Sequence, residues 1–465
     1  MPVSLDTLVA FCKRRGFVFP SSDIYGGFAA VYDYGHYGIL LKNNIQKLWW
    51  DSMLLEHDQI FGLDAGIFMS PRVWEASGHT QSFSDPQMDC RKCKSRMRVD
   101  HYLEKLGIDA DAMDLAQMNV ELEKLKGEGK LVCEKCGAKD MTEARDFNLL
   151  VQTNLGSPTS EFDLKDSVYP RGETCQGIYV NFKNFLDTLR VKVPFGVAQV
   201  GKAFRNEIVA RQFIFRTREF EQMEMQYFVH EKDEISTYDT WLADRFTWYT
   251  EKLGIDPKKI RKKDHEKLAH YAKKAVDIEY DFSCLGGFKE VEGVHARGEW
   301  DLSRHAEFSK QDLSYLDPYT NERFVPHIVE TSAGLARFFL MILDNTYEEE
   351  TLEDASSRVV LRLPKHLSPV KVAVFPLKKT EPKLVEIARS IFQGLKKAGI
   401  YAEYDETGAI GKLYRRQDEI GTPYCITVDF DSMEDNTVTI RDRDTMKQER
   451  MSVEDVMKKM QTEFA

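Results

Sequence analysis

The sequence predicts an α+β fold, an antiparallel sheet flanked by helices, followed by a separate α/β domain at the C-terminal end. Three observations predict it. Between about 145 and 345, short β-type runs such as Gly177-Ile178-Tyr179-Val180 and Met223–Val229 alternate with helical stretches. Neighbouring strands there lack the helix-length spacers that parallel pairing requires, so antiparallel pairing is expected. Leu363–Pro369 carries two prolines and no periodicity, as a linker does, and beyond it the pattern changes to a βαβ rhythm.

The elements follow in order. Leu40–Leu55 places apolar residues at helical spacing and reads as a long amphipathic helix. Gly62 follows, then Ala65–Pro71, a short strand ending at a proline. Residues 101–130, rich in Leu, Glu, Lys and Asp, read as a helical part of an insertion spanning about 88–145. After the linker come a strand at Val370–Phe375, a helix at Lys383–Gly399 and strands at Tyr401–Tyr404 and Tyr424–Val428. The chain of 465 residues therefore divides into 1–362 and 368–465.

Hydrophobic residues at 42% and charged residues at 30% suit a folded soluble protein. No apolar run reaches the length of a membrane span, and Met1–Ala10 lacks the pattern of a secretory signal. A cytoplasmic location is expected, with no membrane partner. The net charge of −11 does not attract nucleic acid as a whole. RNA contact would fall to local basic runs: Lys13-Arg14-Arg15, Lys258–Lys263, and Lys412 with Arg415-Arg416. Each run reads equally as a solvated face.

Four of the eight cysteines form two tight pairs, Cys90-x-x-Cys93 and Cys133-x-x-Cys136. In a chain of this class such pairs favour metal over disulfides. Cys90, Cys93, Cys133 and Cys136 suit a closed tetrahedral structural Zn²⁺ site, with metal-free thiols as the alternative.

Phe204-Arg205-Asn206-Glu207, then Arg216-Thr217-Arg218-Glu219-Phe220 and Glu224, carry the chemistry. A fixed cation, a hydrogen-bond acceptor and a flat apolar face are what an adenine nucleotide requires. Val329–Arg337 sets small residues before a helix that carries Arg337. It reads as a close backbone approach to a ligand or as plain helix packing.

In this order the pieces resemble the three motifs of class II aminoacyl-tRNA synthetases: Leu40–Pro71, Phe204–Glu224 and Gly334–Arg337. The resemblance narrows to the homodimeric glycyl-tRNA synthetase family through Tyr32-Asp33-Tyr34-Gly35, Leu41–Asn44 and Trp74-Glu75-Ala76-Ser77-Gly78-His79. Arg171-Gly172-Glu173-Thr174, Gln176-Gly177-Ile178, Arg218-Glu219-Phe220, Thr407–Gly411 and Asp418–Tyr424 extend it over nearly the whole chain.

The resemblance implies a class II catalytic domain over 1–362 and an anticodon-binding α/β domain over 368–465. It implies ATP as substrate with Mg²⁺, glycine and a glycine-accepting tRNA, no DNA, and a homodimer. Arg205 would hold the α-phosphate, Glu207 would read the adenine amino group, and Phe220 would stack on the base. Arg216 and Arg337 would hold the γ-phosphate side, with Glu290 near ATP and its magnesium. Asn206, Phe215, Val291 and Gly334 complete the expected nucleotide site, in which Arg205, Arg337 and Glu290 are the catalytic set. Glycine would fall to Glu173, Phe220, Glu224, Glu330 and Ser332, with Arg98 a further candidate. Diadenosine polyphosphate synthesis, which needs only ATP attacking the adenylate, is an additional activity that the same chemistry would allow.

Several positions depart from the family pattern: His36, Gly172 and Thr331 stand where proline is usual, Cys175 where alanine is, and Ala336 where aspartate is. None removes a charged ligand. Gly172 is expected to loosen the backbone beside Glu173, and Cys175 reads as an inert buried thiol or an oxidisable one. A tRNA-free paralogue would be expected to lose Arg205, Arg216 or Arg337, and all three are present. A synthetase for another small amino acid would lack Glu173, Glu330 and Ser332 in this combination.

Overall fold

The structure, a computed structural model, describes residues 3–464 apart from 111–112, 156–166, 208–211, 266–267, 269–271 and 352–356. Helix α1 (Leu5–Arg15) starts where the Ser4 hydroxyl accepts from the Thr7 N–H. The expected long helix is α2 (His36–Leu54), which begins earlier than the apolar periodicity suggests. Gly38 allows this, because a Cβ there would stand 1.9 Å from the Phe17 carbonyl oxygen. Leu41, Ile45, Trp49 and Met53 form the buried stripe of α2.

The central sheet comprises β1 (Ile60–Leu63), β2 (Phe195–Phe204) and β3 (Glu219–Val229). After helix α3 (Glu234–Glu251) come β4 (Ile260–Asp264), β5 (Lys274–Phe282), β6 (Gly287–Gly298) and β7 (His327–Gly334). Helix α4 (Leu335–Thr346) follows directly. The strand order is β4-β5-β6-β7-β3-β2-β1. All pairs are antiparallel except β1 with β2.

Alternation along the strands separates two faces. Met223, Met225, Val294, Ala296, Val329 and Ala333 join Phe338–Leu343 of α4 in one core. The intervening residues face away from that core and build the site. On the core side, Glu292 and Arg245 of α3 are fully buried and paired at 2.8 Å, and Tyr249 donates to the same carboxylate at 2.9 Å. This pair fixes α3 against the sheet.

The insertion is a small body with its own core. The strands Arg96–Arg98, Ser84–Asp89 and Arg145–Asn148 form one sheet, joined by the helices Val99–Lys105 and Leu115–Gly127. Met88, Val99, Leu103, Leu122 and Leu125 pack with Cys90 and Cys133.

Two local expectations are corrected. Ala65–Pro71 yields only a two-residue strand, Phe68–Met69, and Pro71 opens the helix Pro71–Ala76 instead. Its missing N–H is harmless at that position. Gly177-Ile178-Tyr179-Val180 lies in a helix, Cys175–Val180. The run is buried from several sides: Ile178 and Tyr179 pack with Phe182, Phe195 and Phe228, and the Tyr179 hydroxyl donates to Gln226 at 2.8 Å. Gly177, Ile178 and Tyr179 are buried in succession and Val180 is exposed, so no alternation marks a strand and β-rich composition misleads there.

Residues beyond 370 form a second sheet. Strand β8 (Val372–Pro376) is followed by helix α5 (Pro382–Lys397), β9 (Ala402–Tyr404), helix α6 (Ile410–Ile420) and β10 (Tyr424–Val428). β11 (Thr437–Asp442), β12 (Gln448–Ser452) and helix α7 (Val453–Phe464) complete it. The order is β9-β8-β10-β11-β12, parallel across the first three strands and antiparallel thereafter. The Leu363–Pro369 stretch is irregular, as expected, but packed. Leu363 and Leu367 are fully buried, and Asn44 of α2 donates to the carbonyls of Leu367 and Ser368. The Lys371 ammonium donates to the carbonyls of Lys365, His366 and Ser368.

The Arg245–Glu292 pair gives a test of the core. Glu292→Ala leaves a buried guanidinium without its carboxylate and is expected to lower stability by about 3–5 kcal/mol. Chemical unfolding of wild type and variant measures it.

Candidate active site

The register of four strands sets the floor of a cavity. Glu224 of β3 lies opposite Ser332 of β7, which lies opposite Gly293 of β6. One step along, Gln226, Glu330 and His295 form the next row. Strand β6 carries a bulge: Ile278 pairs with Glu292 and Glu279 with Glu290, leaving Val291 extra. A bulge shifts which side chains share a face. It turns Glu290 toward the same cavity as Gly293, His295 and Arg297.

Twelve of the expected residues line this one cavity: Glu173, Arg205, Glu207, Phe215, Arg216, Phe220, Glu224, Glu290, Glu330, Ser332, Gly334 and Arg337. Three do not line it. Val291 is the fully buried bulge residue. Asn206 is held by its backbone N–H on the Leu149 carbonyl at 2.8 Å. Arg98 sits in the insertion, paired with Asp85 at 3.1 Å and with Asp100. It lines a neighbouring depression that it shares with Arg216. Residues 208–211 of the Phe204–Glu224 stretch lie outside the described residues.

The cavity has two ends of opposite character. At one end three carboxylates converge, each in a different setting. Glu330 receives Arg297 at 3.1 Å, His295 at 2.8 Å and Gln226 at 2.7 Å. Burial pushes its pKa up, but Arg297 and His295 outweigh burial and hold it down to about 2. Glu173 has His79 at 3.3 Å and accepts from Cys175 and Gln176. Burial opposes its charge, and His79 and Arg297 bring its pKa well below the usual range. Glu224 differs. It accepts from Ser332 at 2.7 Å, from Gln222 at 2.9 Å and from Thr174, all neutral groups. Burial, with Glu330 and Glu173 as like-charged neighbours, raises it to about 8. A buried carboxylate without a cation attracts one from a ligand.

The other end is cationic and aromatic. The Arg205 guanidinium lies 5.1 Å from the Phe83 ring centroid and 5.2 Å from that of Phe220, and donates to the Gly172 carbonyl at 3.1 Å. Stacked and tethered, it keeps free N–H groups for a planar or tetrahedral oxyanion. Arg337 pairs with Glu290 at 2.9 Å over the Phe215 ring. The Arg337 charge keeps the Glu290 carboxyl below its ordinary pKa, so it is ionised. Arg216 pairs with Glu207 at 2.8 Å.

Sequence reasoning missed His79, Thr174, Gln222, Gln226, His295 and Arg297. Alternation with Gly293 is the signal for the last two, because residues 293, 295 and 297 share a face. Gly293 itself makes room: a Cβ there would stand 2.7 Å from the His295 ring. The departures also find a place. A Cβ at Gly172 would meet Leu150 at 3.0 Å, so that residue is closely packed on one side. Cys175 is buried, and burial with Glu173 beside it raises its pKa well above the thiol range. That favours the inert reading.

Two comparisons bear on this geometry. Residues 159–346 match the family described as tRNA synthetase class II core domain (G, H, P, S and T). Residues 371–463 match the family described as anticodon binding domain. The chain is 49% identical to the glycine–tRNA ligase of Treponema denticola, covering 99% of this chain and 97% of that protein. It is 47% identical to the one from Geobacillus kaustophilus and 45% identical to the one from Chlorobaculum tepidum, each over 97% of both chains. With a cavity that joins an uncompensated carboxylate to a stacked arginine, and relatives this close over nearly their full length, the chain belongs to the glycine–tRNA ligase family of class II tRNA synthetases.

Proposed function

We propose that this enzyme is a ligase that activates glycine with ATP, releasing pyrophosphate, and transfers glycine from the adenylate to the 3′-hydroxyl of the terminal adenosine of its tRNA. The observation that carries the residue assignment is Glu224, a buried carboxylate with only neutral donors, on the same floor as the arginines. Glycine offers an ammonium, a carboxylate and no side chain, so charge must hold it. Its ammonium goes to Glu224, with Glu330, Glu173 and Ser332 completing the pocket. The groups packed around Glu224 leave little room at the α-carbon, which rejects larger amino acids by exclusion.

The first step needs no protein base, because the glycine carboxylate is already ionised. It attacks the α-phosphorus in line, and the phosphorus–oxygen bond to pyrophosphate breaks. Arg205 orients the α-phosphate and offsets charge that develops there. Arg216 and Arg337 exchange their carboxylate partners for the β,γ-phosphates. Glu207 is thereby freed for the adenine amino group, and Phe220 offers its ring to the base. Glu290, ionised and partly exposed, suits a hard cation, and Mg²⁺ arriving with ATP would neutralise phosphate charge there. In the second step the adenosine 3′-hydroxyl attacks the glycyl carbonyl and AMP leaves. Diadenosine polyphosphates would form if a second ATP attacked instead.

For tRNA, the second sheet offers a basic depression lined by Lys412, Arg415, Arg416 and Arg441, with Arg15 of α1 beside them. We assign 368–465 to anticodon binding and 1–362 to catalysis. The four paired cysteines fit a structural Zn²⁺. All are free thiols, and Cys90–Cys136 and Cys93–Cys133 lie 3.7 and 3.6 Å apart. Tetrahedral zinc with thiolates at about 2.3 Å places sulfurs about 3.8 Å apart. The metal would staple the insertion. A homodimer is supported by Ile67 and Phe68, exposed apolar residues on the segment that in such synthetases builds the interface. No helix among the described residues is long and apolar enough to cross a membrane, and we place the enzyme in the cytoplasm.

ATP–pyrophosphate exchange with each of the twenty amino acids tests the reading. Exchange with glycine alone is expected, and exchange with another amino acid overturns the pocket assignment. A second prediction concerns protons. Below pH 8 the empty pocket holds a proton on Glu224, and an incoming ammonium favours the carboxylate. Glycine binding should therefore release a proton, and its KM should fall as pH rises toward 8. Calorimetry in buffers of different ionisation enthalpy reads the release, and Glu224→Gln should abolish it. Gly293→Ala should push the His295 ring off Glu330 and raise the glycine KM about tenfold, the loss of roughly one charge-assisted hydrogen bond.

A further inference from the structure

Beside the substrate cavity, on the same face of the sheet, three strands bring together His265, Asp277 and His295. The N–H of His265, just past β4, bonds the Ala275 carbonyl at 3.1 Å, and Ala275 of β5 lies opposite His295 of β6. One ligand atom from each side chain lies within 4.8 Å of the other two. His265 Nε2 stands 2.8 Å from an Asp277 carboxylate oxygen, and the imidazole centroids are 5.7 Å apart at 73°.

Two details point to a ligand. His265 Nε2 is sealed from solvent yet makes no well-directed hydrogen bond among the described residues, so its contact with Asp277 is close but misaligned. His295 Nδ1 is engaged by the Glu330 carboxylate at 2.8 Å, which leaves Nε2 as the free nitrogen. A carboxylate behind a histidine is the arrangement that orients metal-bound imidazoles. We infer that His265, Asp277 and His295 form a site for a borderline divalent cation of the Zn²⁺ or Co²⁺ type, separate from the four cysteines. Two imidazoles and one carboxylate favour such ions over Mg²⁺. Ligands about 2.0–2.1 Å from a tetrahedral ion lie about 3.4 Å apart, so the three side chains draw in on binding. Three protein ligands leave a fourth tetrahedral position for a water brought in with the ion. The site lies beyond the glycine–tRNA ligase reading and does not depend on it.

The test is titration of tag-free, full-length enzyme, zinc content measured beforehand, with Co²⁺. Wild type should show weak visible d–d bands that saturate at about one ion per chain, without new thiolate-to-cobalt charge transfer. His265→Gln and Asp277→Asn should weaken this uptake about tenfold or more. Their thermal unfolding and glycine-dependent exchange should match wild type, which separates a lost site from a lost fold. Equal uptake by wild type and both variants overturns the inference. So does uptake seen only with thiolate charge transfer, which places the cobalt on the cysteines.

Discussion

Glu224 is enclosed by the fold and has no cation of its own among the described residues. Every other carboxylate around it is answered: Glu330 by Arg297 and His295, Glu173 by His79. Burial and its like-charged neighbours keep Glu224 protonated until a cation arrives, and the surrounding structure is arranged to hold it ready in that state. Three neutral donors satisfy its oxygens, and the antiparallel register of β3 with β7 fixes the Ser332 donor directly opposite. A one-residue slip would turn Glu224 into the hydrocarbon core, so the register of the whole sheet is tied to this residue.

The cationic end obeys a different rule. Its cations are pre-paired, Arg337 with Glu290 and Arg216 with Glu207, while Arg205 is stacked between rings. Ion pairs keep long side chains near their working positions and cost little to exchange for phosphate oxygens. Stacking leaves the edge of Arg205 available. The cavity is thus held by fixed hydrogen bonds at its carboxylate end and by exchangeable ion pairs at its cationic end, which suits the proposed binding of a small ligand at the first and a large, highly charged one at the second.

Much of this was legible in the sequence. The order of three stretches, Leu40–Pro71, Phe204–Glu224 and Gly334–Arg337, carries the class, and the strings from Tyr32-Asp33-Tyr34-Gly35 to Asp418–Tyr424 carry the family. The antiparallel sheet and the C-terminal α/β unit followed from periodicity. What was hidden depends on long-range contact. Alternation with Gly293 puts His295 and Arg297 on one face, but that they serve Glu330 follows only from the pairing of two strands distant in sequence. Val291 belongs to the nucleotide site only by what the resemblance implies, and a bulge in β6 buries its side chain in the core. Gly177–Val180 has strand composition, yet its first three residues are buried in succession within a helix, so no alternation distinguishes the two. Arg98 matched by position, and the insertion that carries it pairs it locally instead.

The stretch between the two sheets has proline, loop geometry and no periodicity, but Asn44 and Lys371 clamp its carbonyls and Leu363 and Leu367 fill the space beneath. Asn44 belongs to α2, which also packs against the catalytic sheet. The distance from the basic depression to the amino acid pocket is therefore built in, like the length of a ruler. If the depression binds the tRNA as proposed, a nucleic acid touching both ends would be measured before it reacted, and one of the wrong span would meet only half of the enzyme.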